Sequence, residues 1–549
     1  MAKPIATYQK LRGGYYTPRL IGDFLAQWAV QSTDAQVLEP SCGDGVLLEA
    51  AANALVEKRA NKRAIADFIH GVEIDRGEAL KAVERIRALG IPPSPSLVHQ
   101  GDFFAYCKSH LSDKRLFDAV IGNPPFIRYQ NFIEEQRIIA FELMRRAGLH
   151  PNKLTNSWVP FLVASSLLLN MSGRLAMVIP AELLQVNYAS ELRYFISEYY
   201  SKVTLITFKK LVFEGIQQEV VLLLGERNGS GHTGIRTVEL DSIDDLDSYR
   251  HTEFLKRELK TMDHSTEKWT QYFLEKKEIE LLRELKANPD LITSGDVIDV
   301  DVGIVTGLND FFVLTEEQAR ELLLKEYTRR LVSRSGHLQG VIFVDSDWEA
   351  NVKNNLPAFL LDLPDAPLEK LSESAKRYIT SGETKNLHTG YKCRIRKRWY
   401  VVPSVWTPDA FMLRQVHGYP KIILNEANAT CTDTIHRVKF RNGAKGKTIA
   451  AAFLNSLTFA FSEVTGRSYG GGVLELEPRE AEKLPLPLKG ASLLNINYLN
   501  RFIAAGDIEG ALNVTDKILL KDGLGMSVRE VKLIRGIWQK LRNRRINRK

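Results

Sequence analysis

Cysteine is scarce in this chain, and the four present, Cys42, Cys107, Cys393 and Cys431, stand at no paired spacing. That excludes a disulfide framework and a zinc knuckle as expectations, and it predicts four reduced thiols and no metal site. There is no apolar run long enough to cross a bilayer, and Met1 to Lys10 holds no apolar core with a cleavage site, so no membrane association and a cytoplasmic location are expected. Internal repeats and low-complexity tracts are missing too. A charge excess is nearly missing: the net charge is +8, but residues 532–549 alone carry eight Lys or Arg and no acid, which leaves the remainder formally neutral. Overall basicity is therefore no argument for a nucleic-acid partner, and the distribution of charge has to supply one.

What is present fits a globular protein of two or three domains: 549 residues, 44% hydrophobic and 26% charged. From about residue 13 to 225, short β-branched runs alternate with helical patterns, the signature of a doubly wound α/β sheet. The predicted strands are Gln36–Glu39, Phe68–Ile74, Ser96–Gln100, Phe117–Ile121, Leu175–Ile179, Val203–Thr207 and, closing the set, Val220–Leu224. Leu20, Phe24 and Trp28 share one helix face. The Gly-rich stretch Gly225–Gly234 reads as an edge loop near a domain boundary, followed by a connecting helix around Lys268–Lys286. Beyond it the elements shorten and the βαβ rhythm stops. The last sixty residues turn helical, with Ser527-Val528-Arg529-Glu530 as a capping box opening a basic helix.

The chemistry centres on Asn123-Pro124-Pro125-Phe126, just after the apolar run Asp118–Gly122. An exocyclic amine on a base is a poor nucleophile because its lone pair is delocalised, so a methylating enzyme must offer acceptors to both N–H bonds. The Asn123 side-chain oxygen and the Pro124 carbonyl would do that. The two prolines fix φ and donate no N–H, which stiffens the exit from the strand, and Phe126 offers a stacking face. A Pro-Pro turn with one core aromatic is the competing reading. Upstream, the first strand ends in Glu39-Pro40-Ser41-Cys42-Gly43-Asp44-Gly45. The third glycine of a dinucleotide fingerprint is missing, and the acid at the strand tip suits a cationic amino group better than a pyrophosphate. Glu73-Ile74-Asp75 and Asp102-Phe103 follow at the next two strand tips. Singly each acid reads as a solvated loop residue; together they fit a nucleoside cofactor.

This order of motifs, preceded by Tyr16-Thr17-Pro18, resembles the gamma-class S-adenosylmethionine-dependent adenine-N6 DNA methyltransferases of type II restriction–modification systems. The resemblance implies that Tyr16, Thr17, Pro18, Glu39, Pro40, Cys42, Gly43 and Gly45 bind or shape the methionine end of the cofactor. Glu73 and Ile74 would hold its ribose, and Asp102 and Phe103 its adenine. Asn123 and Pro124 would hold the amine of a flipped adenine, both also touching the cofactor, with Pro125 stiffening the loop and Phe126 and Phe213 contacting the target base. It further implies double-stranded DNA as partner, a monomer, a bacterial or archaeal cytoplasm, and a separate cognate restriction endonuclease. The expected layout is residues 1–245 as a Rossmann-like methyltransferase domain, 246–489 as an α+β target-recognition domain and 490–549 as a basic helical segment. Phe213 is equally readable as a hairpin core residue.

In the second half, Lys392–Tyr400 packs five cations and two aromatics into nine residues, including Arg394, Arg396, Lys397 and Arg398. This is either a phosphate clamp or an alternating edge strand. Glycines in Gly303–Asp310 and Arg467–Leu474, with Tyr469 and Gly471, suit close approach to DNA or tight turns. Arg535, Lys540, Arg542, Arg544, Arg545 and Arg548 would grip flanking backbone or form a solvated basic end. Cytosine-N4 methylation, a ribosomal-RNA or protein-glutamine methyltransferase sharing the Asn-Pro-Pro-aromatic pocket, and a non-enzymatic DNA-binding module are the alternatives.

Overall fold

The computed structural model describes residues 17–213, 219–228, 232–248, 256–262, 267–441, 443–469 and 471–547. The chain forms two compact units, Met1–Glu275 and Lys276–Ile546. The first is built on an eight-stranded sheet: β1 (Val37–Glu39), β2 (Ile69–Glu73), β3 (Val98–Gln100), β4 (Phe117–Gly122), β5 (Leu169–Pro180), β6 (Lys202–Phe208), β7 (Val220–Glu226) and β8 (Gly234–Leu240), in the spatial order β3-β2-β1-β4-β5-β7-β6-β8. The run from β3 to β5 is parallel, as is the β6–β8 pair, while β7 lies antiparallel between β5 and β6.

Alternation along the strands explains why both faces are covered. Val37, Ala119, Ile121, Ala176 and Val178 pack into one cluster with Ile21, Phe24 and Leu25 of α1 (Arg19–Ala29) and Leu47 and Leu48 of α2 (Val46–Glu57). The intervening Leu38, Val120, Leu175 and Met177 are equally buried and belong to the opposite face. After β2 comes α3 (Arg76–Ala88), and after β3, α4 (Phe103–Ser112), with α5 (Glu134–Arg146) and α6 (Trp158–Leu167) between β4 and β5. Chain order runs from β1 outward to β3, then returns to β4 on the other side of β1. This reversal opens a crevice at the carboxyl ends of β1 and β4.

All seven predicted strands are present, but they do not close the set. Gly234 starts β8, paired with β6 from Lys202↔Gly234 to Phe208↔Leu240. A Cβ at Gly234 would lie 2.5 Å from the Lys260 carbonyl oxygen, and Ile235 and Lys260 exchange two backbone hydrogen bonds of 2.8 Å. The glycine thus admits a neighbouring chain where a loop was expected. Thr237 donates to the Tyr272 carbonyl (2.8 Å), beside buried Trp269. For these reasons the first unit runs to Glu275, thirty residues past the boundary expected at 245.

The second unit is α+β. Its largest sheet orders Ile298–Val302, Ile435–Phe440, Ala410–Leu413, Ile422–Asn425 and Ile342–Phe343, and a four-stranded sheet orders Val313–Leu314, Phe359–Leu361, Thr328–Val332 and Thr430–Cys431. Ser527 and Glu530 form the reciprocal capping pair (2.7 and 3.2 Å) that opens helix Val528–Ile546. That helix is not a separate basic end. It packs on helix Ser456–Thr465, with the Phe459 and Trp538 rings 5.3 Å apart. Arg545 and Glu463 form a buried pair (2.7 Å), Arg535 pairs with buried Asp516 (2.7 Å), and Lys540 pairs with Glu278 (2.9 Å). Residues 490–546 therefore belong to the second unit; Arg548 lies outside the described residues. Among the described residues no helix is long and apolar enough to cross a membrane.

Candidate active site

The loop leaving β1 is held by its own backbone and by β2 and α3. The Cys42 N–H donates to the Val72 carbonyl (3.0 Å) and the Gly45 N–H to the Cys42 carbonyl (2.8 Å). Gly45 has φ +85°, and a Cβ there would sit 2.8 Å from the Ala82 Cα, so this glycine lets α3 close on the loop. Gly43 is different: a Cβ there would meet nothing within 4 Å, and its N–H donates to Glu73 Oε2 (2.9 Å). The Gly43 side is the open one. Arg85, which the sequence did not single out, braces the loop by donating to the Asp44 carbonyl (2.8 Å) while pairing with Asp44 (2.6 Å) and Glu49 (3.0 Å).

Glu73 is pinned at the tip of β2 because its other oxygen accepts from the Asp75 N–H (2.8 Å). Each carboxylate oxygen keeps a second lone pair for a hydroxyl. Next to it Ile74 is an aliphatic side chain left 52% exposed. The Gly101 N–H donates to the Glu73 carbonyl (2.9 Å), which sets Asp102 beside this strand tip. Asp102 caps α4 by accepting from the Ala105 N–H (2.9 Å), and burial raises its carboxyl above the ordinary value. Phe103 sits deeper than a ring lining an open pocket: it is buried and stacked on Phe161 at 5.2 Å.

The loop after β4 joins these elements. Asn123 Nδ2 donates to Thr17 Oγ1 (3.2 Å), and the Ser41 hydroxyl donates to the Asn123 carbonyl (3.5 Å). Residues preceding α1, following β1 and following β4 thus meet in one place, as the order of motifs implied. Pro18 starts α1 by accepting from the Ile21 and Gly22 N–H groups (3.0 and 3.1 Å); Tyr16 lies outside the described residues. Pro124 is buried, and half-buried Phe126 packs against the cluster that holds Phe208, Phe213 and Val220. Phe213 is buried within that cluster, which leaves Phe126 the more open ring; Glu214–Gln218 lie outside the described residues.

Glu39 dominates the electrostatics. It is 2% exposed, and among the described residues its Oε2 has no hydrogen-bond partner. Burial, seconded by the charge of Glu73, pushes its carboxyl well above the usual range. A buried carboxyl with an orphaned oxygen, next to a carboxylate and an open glycine, is poised to ionise when a cationic donor binds beside it. The α-ammonium of S-adenosylmethionine has that chemistry, so the residues fit the cofactor that the motifs implied. Cys42 is no nucleophile, because burial holds its thiol protonated.

In the second unit Lys392–Tyr400 is neither an edge strand nor a uniform cationic surface: a short helix, Tyr391–Arg394, leads into a bend. Arg396 donates to the Val305 and Thr306 carbonyls (3.0 and 2.7 Å) and Arg398 pairs with Asp365, so both hold the fold. Trp399 and Tyr400 belong to the core. Arg394 and Lys397 are exposed, with Lys397 on a pocket of about 450 Å³ that Lys392 and Ile395 also line. Gly471 is exposed, while the Tyr469 side chain lies outside the described residues.

Known proteins agree with this architecture. The profile of the family described as N-6 DNA Methylase matches residues 1–301, and that of "Type II methyltransferase M.Eco57I, C-terminal domain" matches residues 266–520. Type II methyltransferase M.AccI of Acinetobacter calcoaceticus is 22% identical over 548 residues, covering 93% of this chain and 94% of its own. Type II methyltransferase M.XamI of Xanthomonas campestris pv. amaranthicola is 22% identical over 483 residues, covering 86% and 85%. The structure of the Type IIL restriction-modification enzyme MmeI bound to DNA superposes with a TM-score of 0.59 at 12% identity, over 96% of this chain and 75% of that one. A nuclease-deletion mutant of the Type ISP enzyme LlaGI gives 0.51 at 14% identity, over 91% of this chain and 55% of that one. At such identities the solved structures speak for the fold alone. The match over residues 1–301 covers more than half of the sequence: the chain belongs to the N-6 DNA Methylase family and is an S-adenosylmethionine-dependent DNA methyltransferase.

Proposed function

We propose that this chain is a gamma-class enzyme that methylates the N6 amine of an adenine flipped out of duplex DNA, protecting host DNA against a separate restriction endonuclease. The observation that carries this reading is the bond from Asn123 Nδ2 to Thr17 Oγ1 (3.2 Å), which anchors the Asn123 amide between the loop after β4 and the start of α1; its Oδ1 is the first acceptor for the target amine. The Pro124 carbonyl is the second acceptor. When bound, S-adenosylmethionine supplies an electrophilic methyl group on a sulfonium.

Glu39 holds the cationic end of that molecule, Glu73 the ribose, and Asp102 the adenine amine with its remaining acceptor capacity. Extruding the target base costs roughly a few kcal/mol, repaid by stacking on Phe126 and by the two acceptors. As methyl transfer proceeds, those acceptors favour a tetrahedral amine nitrogen over the planar conjugated one, and this preference is stronger in the transition state than in the ground state. The first unit is the catalytic half, the second reads the DNA sequence, and the protein acts as a monomer in a bacterial or archaeal cytoplasm. The continuous likeness to type II methyltransferases through the second unit supports DNA over release factors or ribosomal RNA as substrate.

The test is Asn123→Ala. Cofactor affinity is expected to stay at the parent level while methyl transfer to duplex DNA falls by about 10²–10³-fold, the scale for loss of one transition-state hydrogen-bonding group. Undiminished transfer would overturn the reading.

A further inference from the structure

Ser157 stands at the mouth of α6, thirty residues beyond Ile127, which follows the Asn-Pro-Pro-Phe loop, where a serine ordinarily caps its own helix by accepting from an N–H one turn on. Its hydroxyl makes no such bond. Instead it donates to the Pro125 carbonyl (2.5 Å) and accepts from the Ile127 N–H (2.8 Å), while the Ser157 N–H donates to the Ile127 carbonyl (2.9 Å). The Pro125 carbonyl belongs to the peptide plane preceding the Phe126 Cα, and the Ile127 N–H to the plane following it. One oxygen atom therefore fixes both planes, and with them φ and ψ of Phe126. On the other side the pyrrolidine rings fix φ at Pro124 and Pro125. Ser157 is fully buried at 0% exposure, so bulk water has no route to replace its hydroxyl.

We propose that Ser157 is a positioning residue for base capture: its hydroxyl locks the backbone at Phe126 so that the ring stands ready to stack on the extruded base. The inference rests on the active-site reading above. It separates two functions within one loop, Asn123 holding the amine and Ser157 holding the ring's platform. The residue also gives up its own helix cap to do so, and the local economy of α6 offers no reason for that. Because Ser157 is buried and its hydroxyl bonds go to the backbone on either side of Phe126, its removal should act on turnover and leave cofactor binding alone.

The experiment measures steady-state methylation of unmethylated genomic DNA and calorimetric binding of S-adenosylmethionine for the 549-residue parent chain, Ser157→Ala, Ser157→Thr and Asn123→Ala. Ser157→Ala is expected to lower kcat between about 10- and 100-fold, the range for a misplaced reacting partner, with KM and Kd for the cofactor unchanged. Ser157→Thr, which keeps the hydroxyl, is expected to regain most of the loss. If Ser157→Ala does not fold, Ser157→Cys, a weak donor of similar size, replaces it with the same expectation. Parent kcat in the Ala or Cys variant, or a Thr variant as impaired as they are, would overturn the proposal. So would a loss confined to cofactor binding. Full activity in Asn123→Ala would instead strike the active-site reading itself, so the two failures are distinguishable.

Discussion

Replacing Glu39 with Gln tests how this crevice recognises a cofactor. The free protein holds a 2% exposed carboxyl with an orphaned Oε2, and burial together with Glu73 raises it well above its ordinary value. A carboxyl raised in the fold contributes stability that is complete below the unfolded value, about 4.3 for Glu, and that is lost as pH rises through the folded value. Glu39→Gln removes this loss, so without cofactor the variant should be at least as stable as the parent, with a lead that grows as pH rises. Cofactor binding should respond in the opposite sense. A hydrogen bond to a charged group contributes about 1.5–3 kcal/mol, so losing the carboxylate should weaken binding by about 10- to 150-fold.

The parent's affinity should increase as pH rises through the Glu39 transition, with a proton released on binding, whereas Gln at this position should abolish that dependence. Isothermal titration over a pH series, in buffers of different ionisation enthalpy, reads both effects. S-adenosylhomocysteine keeps the ammonium and lacks the sulfonium, so it should lose as much affinity as S-adenosylmethionine. Parent-level affinity in Glu39→Gln at neutral pH would refute the assignment of Glu39 to the cofactor's ammonium.

Arg545→Met should destabilise the second unit by about 3–5 kcal/mol in urea, because it strands buried Glu463 without its partner; a loss of DNA affinity with unchanged stability would contradict the inward role given to Arg545. By contrast, Arg394 and Lys397 are exposed, and their double replacement by Ala should leave stability intact. It should also flatten the dependence of log affinity for DNA on log salt by about 0.9 for each phosphate that is no longer neutralised; an unchanged slope would place the interface elsewhere.

The candidate site of the first unit was readable because it sits at strand tips, where glycine, proline and carboxylate follow short apolar runs, and the crevice between β1 and β4 follows from the strand order. Ser157 and Arg85 were not readable. Each works through partners 30 to 41 positions away in sequence, and a serine at the start of a helix or an arginine within one has an ordinary local explanation. Cation-rich stretches misled for the same reason. Composition shows charge but not direction, so Arg396 and Arg398 could not be told from their neighbours Arg394 and Lys397 until Val305, Thr306 and Asp365 were placed beside them. The missing strand β8 was hidden behind a Gly-rich approach that resembles a loop, although Gly234 is there to admit the Lys260 backbone.

The identity of the methylated atom decides between adenine-N6 and cytosine-N4 chemistry. The chain should be expressed in a host lacking DNA methyltransferases, and its genomic DNA read by single-molecule sequencing, with mass spectrometry of the digested nucleosides. N6-methyladenine is expected at one short recurring sequence, absent from cells expressing Asn123→Ala. N4-methylcytosine in its place, or DNA left unmodified by a protein that binds the cofactor, would contradict it.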